Sequence, residues 1–341
     1  MRLVIVSDAW TPQVNGVVRT FIEVSQRLRA AGHDVLIIEP GMFRTFPCPG
    51  YPEIRLVRNP GQLDDILDDA DFETVHIATE GPLGWRARRY CLRRGLVFTT
   101  SYHTKFPEYL HERFRIPVAL TYAFVRRFHA PAEMVLVPTQ SSRADLAAHG
   151  FGEMTVWGGG VDSSRFSPPV PPHAQGQPPV FLNVGRVAKE KNLEAFYRLE
   201  LPGRKVQVGD GPELETYRKR YPEVEFLGLK CGDDLVAAYQ SADVFVFPSR
   251  TDTFGLVLVE AMAAGLPVAA FDVTGPRDIV VDGVSGFLSE DLKSSCLKAL
   301  DLDQAACVQR ARDFSWEGVV DGFVAQLVTA RRQGYRLVAE I

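Results

Sequence analysis

Residues 243–265 read DVFVFPSRTDTFGLVLVEAMAAG, and the architecture of the 341-residue chain can be built from them. DVFVFPS is a short, unbroken apolar run, the pattern of a strand covered on both faces in a parallel sheet. A helix is predicted over 255–264, and PVAAF follows as a second buried strand. Strand, helix and strand in this order form a β-α-β unit, which implies parallel pairing.

The same alternation fills the chain on either side. Upstream lie PVFLNVGRV, a helix over 193–199, KVQVGD, a helix over 213–221, VEFLGL and a helix over 233–240. The first half opens with the strand LVIVSDAW and the turn Asn15-Gly16. A helix over 17–31 follows, with helical spacing of Val18, Phe21, Ile22, Val24, Ser25 and Leu28, and a stop at Gly32. DVLIIEP, TVHIA, a basic helix over 85–94, LVFTTSYH, a helix over 118–128 and MVLVPT complete it. Between the halves, residues 167–179 (SPPVPPHAQGQPP) suit neither a helix nor an inner strand and read as a linker.

The expected fold is therefore α/β, with two doubly wound Rossmann-like domains over 1–166 and 180–315. In such folds ligands sit at the carboxyl ends of the strands, so a cleft between the domains is expected. The remaining 316–341 read as an amphipathic helix; ordinary packing and a return onto the first domain are both open to it.

Composition narrows the class. A 46% apolar and 23% charged chain is an ordinary globular one, and a net charge of −4 argues against nucleic acid as partner. The five cysteines are scattered without ligand spacing, which implies free thiols, a reducing compartment and no structural zinc. MRLVIVSDAW is too short and too soon acidic for a signal peptide. The longest apolar stretch is interrupted by Glu260, Gly265 and Pro267, so a cytoplasmic protein, or one resting on the inner face of a membrane, is expected.

Two segments carry chemistry. In GRVAKEKN (185–192), Arg186 ends a strand and Lys191 precedes a helix. A planar fork and a mobile point charge there suit a diphosphate, although a solvated basic loop has the same composition. In RTDTFGLVLVEAMAAG, Asp252 and Glu260 lie eight apart. The amides of Phe254, Gly255 and Leu256 would open a helix N-terminus, and Glu260 sits in an apolar helix where a carboxylate needs a partner or a ligand. Glu260 suits a ribose diol; Asp252 suits sugar hydroxyls or a simple helix start.

In the first half, Gly16 lets a phosphate meet the next helix, or is a plain turn glycine. G-x-G-x-x-G is missing, which disfavours a nicotinamide cofactor. His103 and Asp8 stand at strand ends that face a ligand crevice in this class of sheet. His103 is a candidate for proton transfer or for contact with donor or acceptor, while Asp8 and Asn15 are candidate acceptor contacts.

Together, PQVNGVVRT, SYHTKFPEYL, Val161-Asp162 with Phe166, GRVAKEKN, VGDGPE and the 243–265 block resemble glycosyltransferase family 4, enzymes of the GT-B fold. The resemblance implies a retaining transferase that moves a hexose or uronic acid from a UDP- or GDP-sugar to an acceptor hydroxyl by front-face attack. It implies that Gly16 lies against the donor phosphates, Arg186 and Lys191 neutralise the leaving diphosphate, and Glu260 binds the ribose. It also implies that the amides of Phe254, Gly255 and Leu256 contact the donor, Leu229 lines the base pocket, and His103 lies near the reacting sugar. The family pair is E-x7-E; Asp252 replaces its first member with a side chain one methylene shorter, which leaves the sugar open. With two cations facing the phosphate and no D-x-D motif, no cofactor and no essential metal are expected.

Residues 81–130 hold ten Arg and Lys against Glu108 and Glu112, interleaved with Trp85, Tyr90, Phe106, Tyr109, Phe114, Tyr122, Phe124 and Phe128. Such a surface fits an anionic membrane, so a lipid or glycolipid acceptor is expected beside the saccharide alternative; core aromatics with solvated arginines are the plain reading. Two other classes share these features: an epimerase acting on the donor alone and a non-catalytic sugar-nucleotide-binding protein.

Overall fold

A computed structural model describes residues 1–48, 51–166 and 178–339; the predicted linker lies, over 167–177, outside the described residues. The chain divides into two compact units, Met1–Gly158 with Glu317–Ile341, and Gly159–Trp316.

The strands of the first unit are β1 (Arg2–Val6), β2 (Asp34–Ile38), β3 (Thr45–Cys48), β4 (Tyr51–Val57), β5 (Thr74–Ile77), β6 (Phe98–Ser101), β7 (Met134–Val137) and β8 (Met154–Val156). Six of them form one sheet in the order β2-β1-β5-β6-β7-β8. All its pairings are parallel, for example Val4↔Leu36 and Val4↔Val75. β3 and β4 make a separate antiparallel pair. Pro47 and Pro52 break the apolar run there, which is why no strand was predicted, and a two-stranded ribbon tolerates prolines that a central strand does not.

The helix Gly16–Ala30 buries Val18, Phe21, Val24 and Leu28 along one stripe. The helix Pro82–Arg94 starts with proline at its first turn and ends on Gly95 in the left-handed region. The carboxy-terminal helix, Trp316–Ala339, belongs to this unit from Glu317 on. Trp157 Nε1 donates to the Val319 carbonyl at 2.9 Å, and the buried Phe323 packs against Phe21, His76 and Trp157.

The second unit contains β9 (Val180–Val184), β10 (Arg204–Val208), β11 (Val224–Gly228), β12 (Val244–Phe247), β13 (Val268–Ala270) and β14 (Gly286–Leu288). The order is β11-β10-β9-β12-β13-β14, again all parallel. β9, β12 and β13 are buried at every residue, as strands covered by helices on both faces must be. Residues 159–166, read from the sequence as the end of the first domain, pack here instead. The Phe166 ring meets Tyr239 edge-on, and a Cβ at Gly160 would lie 2.8 Å from the Trp316 ring. No local pattern signals that boundary.

The basic stretch 81–130 separates into two populations. Tyr90, Tyr122 and Phe128 are core residues. Arg86 and Arg93 pair with Asp64, Arg94 with Asp68, and Lys105 with Asp145, carboxylates that lie outside the window counted in the sequence. Leu120, Phe124 and Phe106 remain exposed, beside Arg126 and Arg127 on the same helix as Leu120, Val118–His129. Among the described residues no helix is long and apolar enough to cross a membrane.

Candidate active site

In the second unit the predicted donor residues gather at the carboxyl ends of the strands. Gly185 and Arg186 follow β9, Gly209 follows β10, Leu229 follows β11, and residues 248–252 follow β12. Backbone crowding explains the glycine of VGDGPE that follows β10. A Cβ at Gly209 would sit 1.9 Å from the Gly185 carbonyl oxygen, so the two strand-end loops touch only without a side chain there.

Lys191 and Asp252 lie 61 residues apart in sequence and form an ion pair, Nζ to Oδ1, at 2.5 Å. Two further bonds stitch the same loops together. Asn192 Nδ2 donates to the Pro248 carbonyl at 3.0 Å, and Thr251 Oγ1 donates to the Glu190 carbonyl at 3.3 Å. The GRVAKEKN and SRTD segments are thus one structural piece. Asp252 is not a simple helix start: Oδ1 holds Lys191, and Oδ2 is buried with no hydrogen-bond partner. An acceptor oxygen in that position suits a ligand hydroxyl. Arg186 is half-buried at the end of β9.

Gly255 caps the helix Leu256–Ala263 with φ 88°, in the left-handed region that favours glycine, and the predicted contacts Phe254, Gly255 and Leu256 form this turn. One turn further in, Glu260 is 2% exposed and accepts a 2.9 Å hydrogen bond from the Tyr239 hydroxyl at Oε2. Tyr239 is itself fully buried, on the helix Gly232–Gln240. It holds one face of the carboxylate. The sequence carried no sign of this partner, because a tyrosine at helical spacing reads as core. Leu229, by contrast, is 54% exposed, just beyond the edge strand β11.

In the first unit the predicted residues have separate tasks. Asp8 caps the helix Pro82–Arg94: its oxygens accept from the Leu83 and Gly84 amides at 2.8 and 3.1 Å and from Thr79 Oγ1 at 3.0 Å. A Cβ at Gly81 would lie 2.3 Å from Asp8 Cγ, so the close approach needs that glycine. Burial pushes the Asp8 carboxyl up to about 6, against the pull of those hydrogen bonds. Asn15 likewise caps the helix Gly16–Ala30, Oδ1 accepting from the Val18 amide at 3.0 Å. These capping bonds are what the structure gives for the two residues read from the sequence as acceptor contacts. Gly16 is exposed as the first residue of that helix.

His103 follows β6 with Nε2 at 2.8 Å from Ser101 Oγ, and the ring packs edge-on against Phe21. Burial, and then the charge of His129, hold its pKa down at about 4, so its imidazole is neutral at neutral pH.

The whole chain superposes on sucrose-phosphate synthase from Thermosynechococcus elongatus with a TM-score of 0.77 and 20% identity, covering 98% of this chain and 99% of that one. Two parallel-sheet units with this likeness define the GT-B fold. The Glycosyltransferase Family 4 profile matches residues 14–165, and that of Glycosyl transferases group 1 matches residues 178–302. A GDP-mannose-dependent alpha-mannosyltransferase of Mycobacterium tuberculosis is 32% identical over 84% of this chain and 83% of its own. An alpha-monoglucosyldiacylglycerol synthase of Acholeplasma laidlawii is 27% identical over 79% of each. The chain belongs to glycosyltransferase family 4 and is a glycosyltransferase.

Proposed function

We propose that the protein transfers a hexose or uronic acid, with retention of configuration, from a GDP- or UDP-sugar to a hydroxyl of a membrane lipid or glycolipid. The observation that carries the donor half is the stitched pair of loops at the strand ends of the second unit. They hold Lys191 in place, with Arg186 at the start of the same loop and Glu260 behind the helix start. Arg186 and Lys191 stabilise the charge that grows on the departing diphosphate, which in turn takes the acceptor proton. Glu260 accepts from the ribose diol, and the buried Asp252 Oδ2 accepts from a sugar hydroxyl. In this reading the amides of Phe254, Gly255 and Leu256 meet the donor, Leu229 covers the base, Gly16 meets the phosphates and His103 meets the sugar. Because the positive charge comes from side chains, no metal is required.

The experiment is a donor panel of GDP-mannose, UDP-glucose and UDP-glucuronate against diacylglycerol and a glycolipid, with EDTA present, and NMR of the product anomer. The reading expects one donor to give an anomer of unchanged configuration in EDTA. An inverted product, or an isomerised donor without acceptor, would overturn it.

The acceptor half rests on the exposed Leu120 and Phe124 beside Arg126 and Arg127, and the relative named for glucosyldiacylglycerol synthesis favours it. Arginine at an apolar rim fits anionic headgroups, with the aromatic side chains entering the interface. Burying an exposed Leu or Phe side chain is worth roughly 1.5–3 kcal/mol. Leu120→Ser with Phe124→Ser should therefore weaken flotation with phosphatidylglycerol vesicles by about 10²–10⁴-fold. Activity on a short-chain, water-soluble acceptor should persist. Unchanged flotation would remove this helix from the membrane surface.

A further inference from the structure

Three consecutive residues of β6, Thr99, Thr100 and Ser101, each hold a histidine, and the strand's alternation sorts them. Thr100 Oγ1 meets His129 Nδ1 at 2.8 Å on one face; His129 Nε2 also meets Glu80 at 3.2 Å. Thr99 and Ser101 point to the other face. There His76, wholly buried on β5, lies with Nδ1 at 2.9 Å from Thr99 Oγ1 and Nε2 at 3.1 Å from Ser101 Oγ. The same Ser101 oxygen is 2.8 Å from His103 Nε2.

The proton positions follow from counting. Ser101 Oγ donates its one hydrogen to the Ala78 carbonyl at 3.3 Å, and a carbonyl can only accept. With the serine hydrogen placed on that carbonyl, both imidazole Nε2 atoms donate to the serine oxygen's two lone pairs. His76, protonated at Nε2, accepts from the Thr99 hydroxyl at Nδ1, and every group at this junction is satisfied. The rings of Phe21, Trp157 and Phe323 enclose His76, at centroid distances of 5.5, 6.5 and 5.0 Å. Burial also holds the His76 pKa well below its ordinary value, consistent with a neutral ring.

We propose that His76 is a positioning residue for catalysis: through Ser101 it holds His103 in one ring orientation, as the tautomer with hydrogen on Nε2 and the lone pair on Nδ1. This rests on the reading that places His103 at the reacting sugar. There, His103 meets the substrate with a ring whose Nε2 is committed to Ser101. A histidine left to choose would divide between tautomers and rotate about its two side-chain torsions. Misplacing a group at a reacting centre by about 1 Å costs on the order of a hundredfold.

The test pairs NMR with kinetics on the full chain. The wild type should show a His103 Nε2–H resonance protected from water exchange, assigned by its loss in His103→Ala. Ser101→Ala and His76→Phe should lose that resonance and lower kcat about ten- to hundredfold, with donor KM within about threefold. His76→Gln should retain both, since the glutamine amide can donate to Ser101. Should His76→Phe fail to fold, Ser101→Ala decides alone. An unchanged resonance and unchanged kcat in a folded variant overturns the positioning role. Normal kcat in His103→Ala instead overturns the placement of His103 at the reaction, while the resonance still reports whether Ser101 and His76 hold its ring.

Discussion

Lys191→Ala should lower kcat by about 10²–10³-fold, the range found when one preorganised donor to a developing anion is removed. The melting temperature should move little. A partly exposed ion pair is worth roughly 0–1 kcal/mol, and Lys191 and Asp252 are 25% and 18% exposed. The pairing makes the variant more informative than a simple charge deletion. Without Lys191, Asp252 leaves a carboxylate beside the site proposed for the diphosphate, and that repulsion adds to the loss. Lys191→Ala combined with Asp252→Asn should therefore be less impaired in donor KM than Lys191→Ala alone. Steady-state kinetics with the preferred donor measures both. A single variant with near-normal kcat would sink the leaving-group role. A double variant no better than the single would sink the repulsion.

Glu260→Ala should raise the dissociation constant of the nucleoside diphosphate by about a hundredfold, because hydrogen bonds to a charged group contribute roughly 1.5–3 kcal/mol each. Tyr239→Phe should raise it by only about tenfold, since it removes the bond that aims the carboxylate and leaves the carboxylate in place. Neither should change the chemical step in proportion, because ribose contacts serve ground state and transition state alike. Glu260→Ala also leaves the Tyr239 hydroxyl buried without its acceptor, at a cost of roughly 1–3 kcal/mol of stability. Combining both substitutions should recover part of that stability without recovering affinity. Calorimetric titration with GDP and UDP, with thermal melts alongside, resolves the terms. Equal nucleotide affinity in Glu260→Ala and wild type would remove Glu260 from the donor site.

Local pattern was enough for the repeated β-α-β units. Unbroken apolar strands such as Val244–Phe247 and Val268–Ala270 need no partner to be recognised, because covering on both faces favours apolar residues at every position. Candidate chemistry could be read where residue type and strand end coincide, as at Arg186, Lys191, Asp252 and Glu260. The same logic singled out Asp8 and Asn15, and the structure gives both a capping role. A capping side chain and a ligand contact use identical residue types at identical turn positions. The partners are visible only in space: the Leu83 and Gly84 amides for Asp8, the Val18 amide for Asn15.

Pairings between residues distant in sequence were decided by the tertiary structure. The Lys191–Asp252 ion pair, the Tyr239 hydroxyl behind Glu260, and the pairing of Arg86 and Arg93 with Asp64 each join segments that no periodicity links. His76 shows the limit most plainly. In TVHIA it is one polar residue in a buried strand, and burial of an imidazole requires partners that its neighbours in sequence do not provide. Those partners come from the adjacent strand, where the two-residue period brings Thr99 and Ser101 to the same face. By itself, then, the chain's sequence determined two parallel-sheet units and marked the residue types proposed for a phosphate and ribose site, because those follow from hydrophobic period and charge. Which of the polar residues hold each other was decided only when the strand ends were brought together in space.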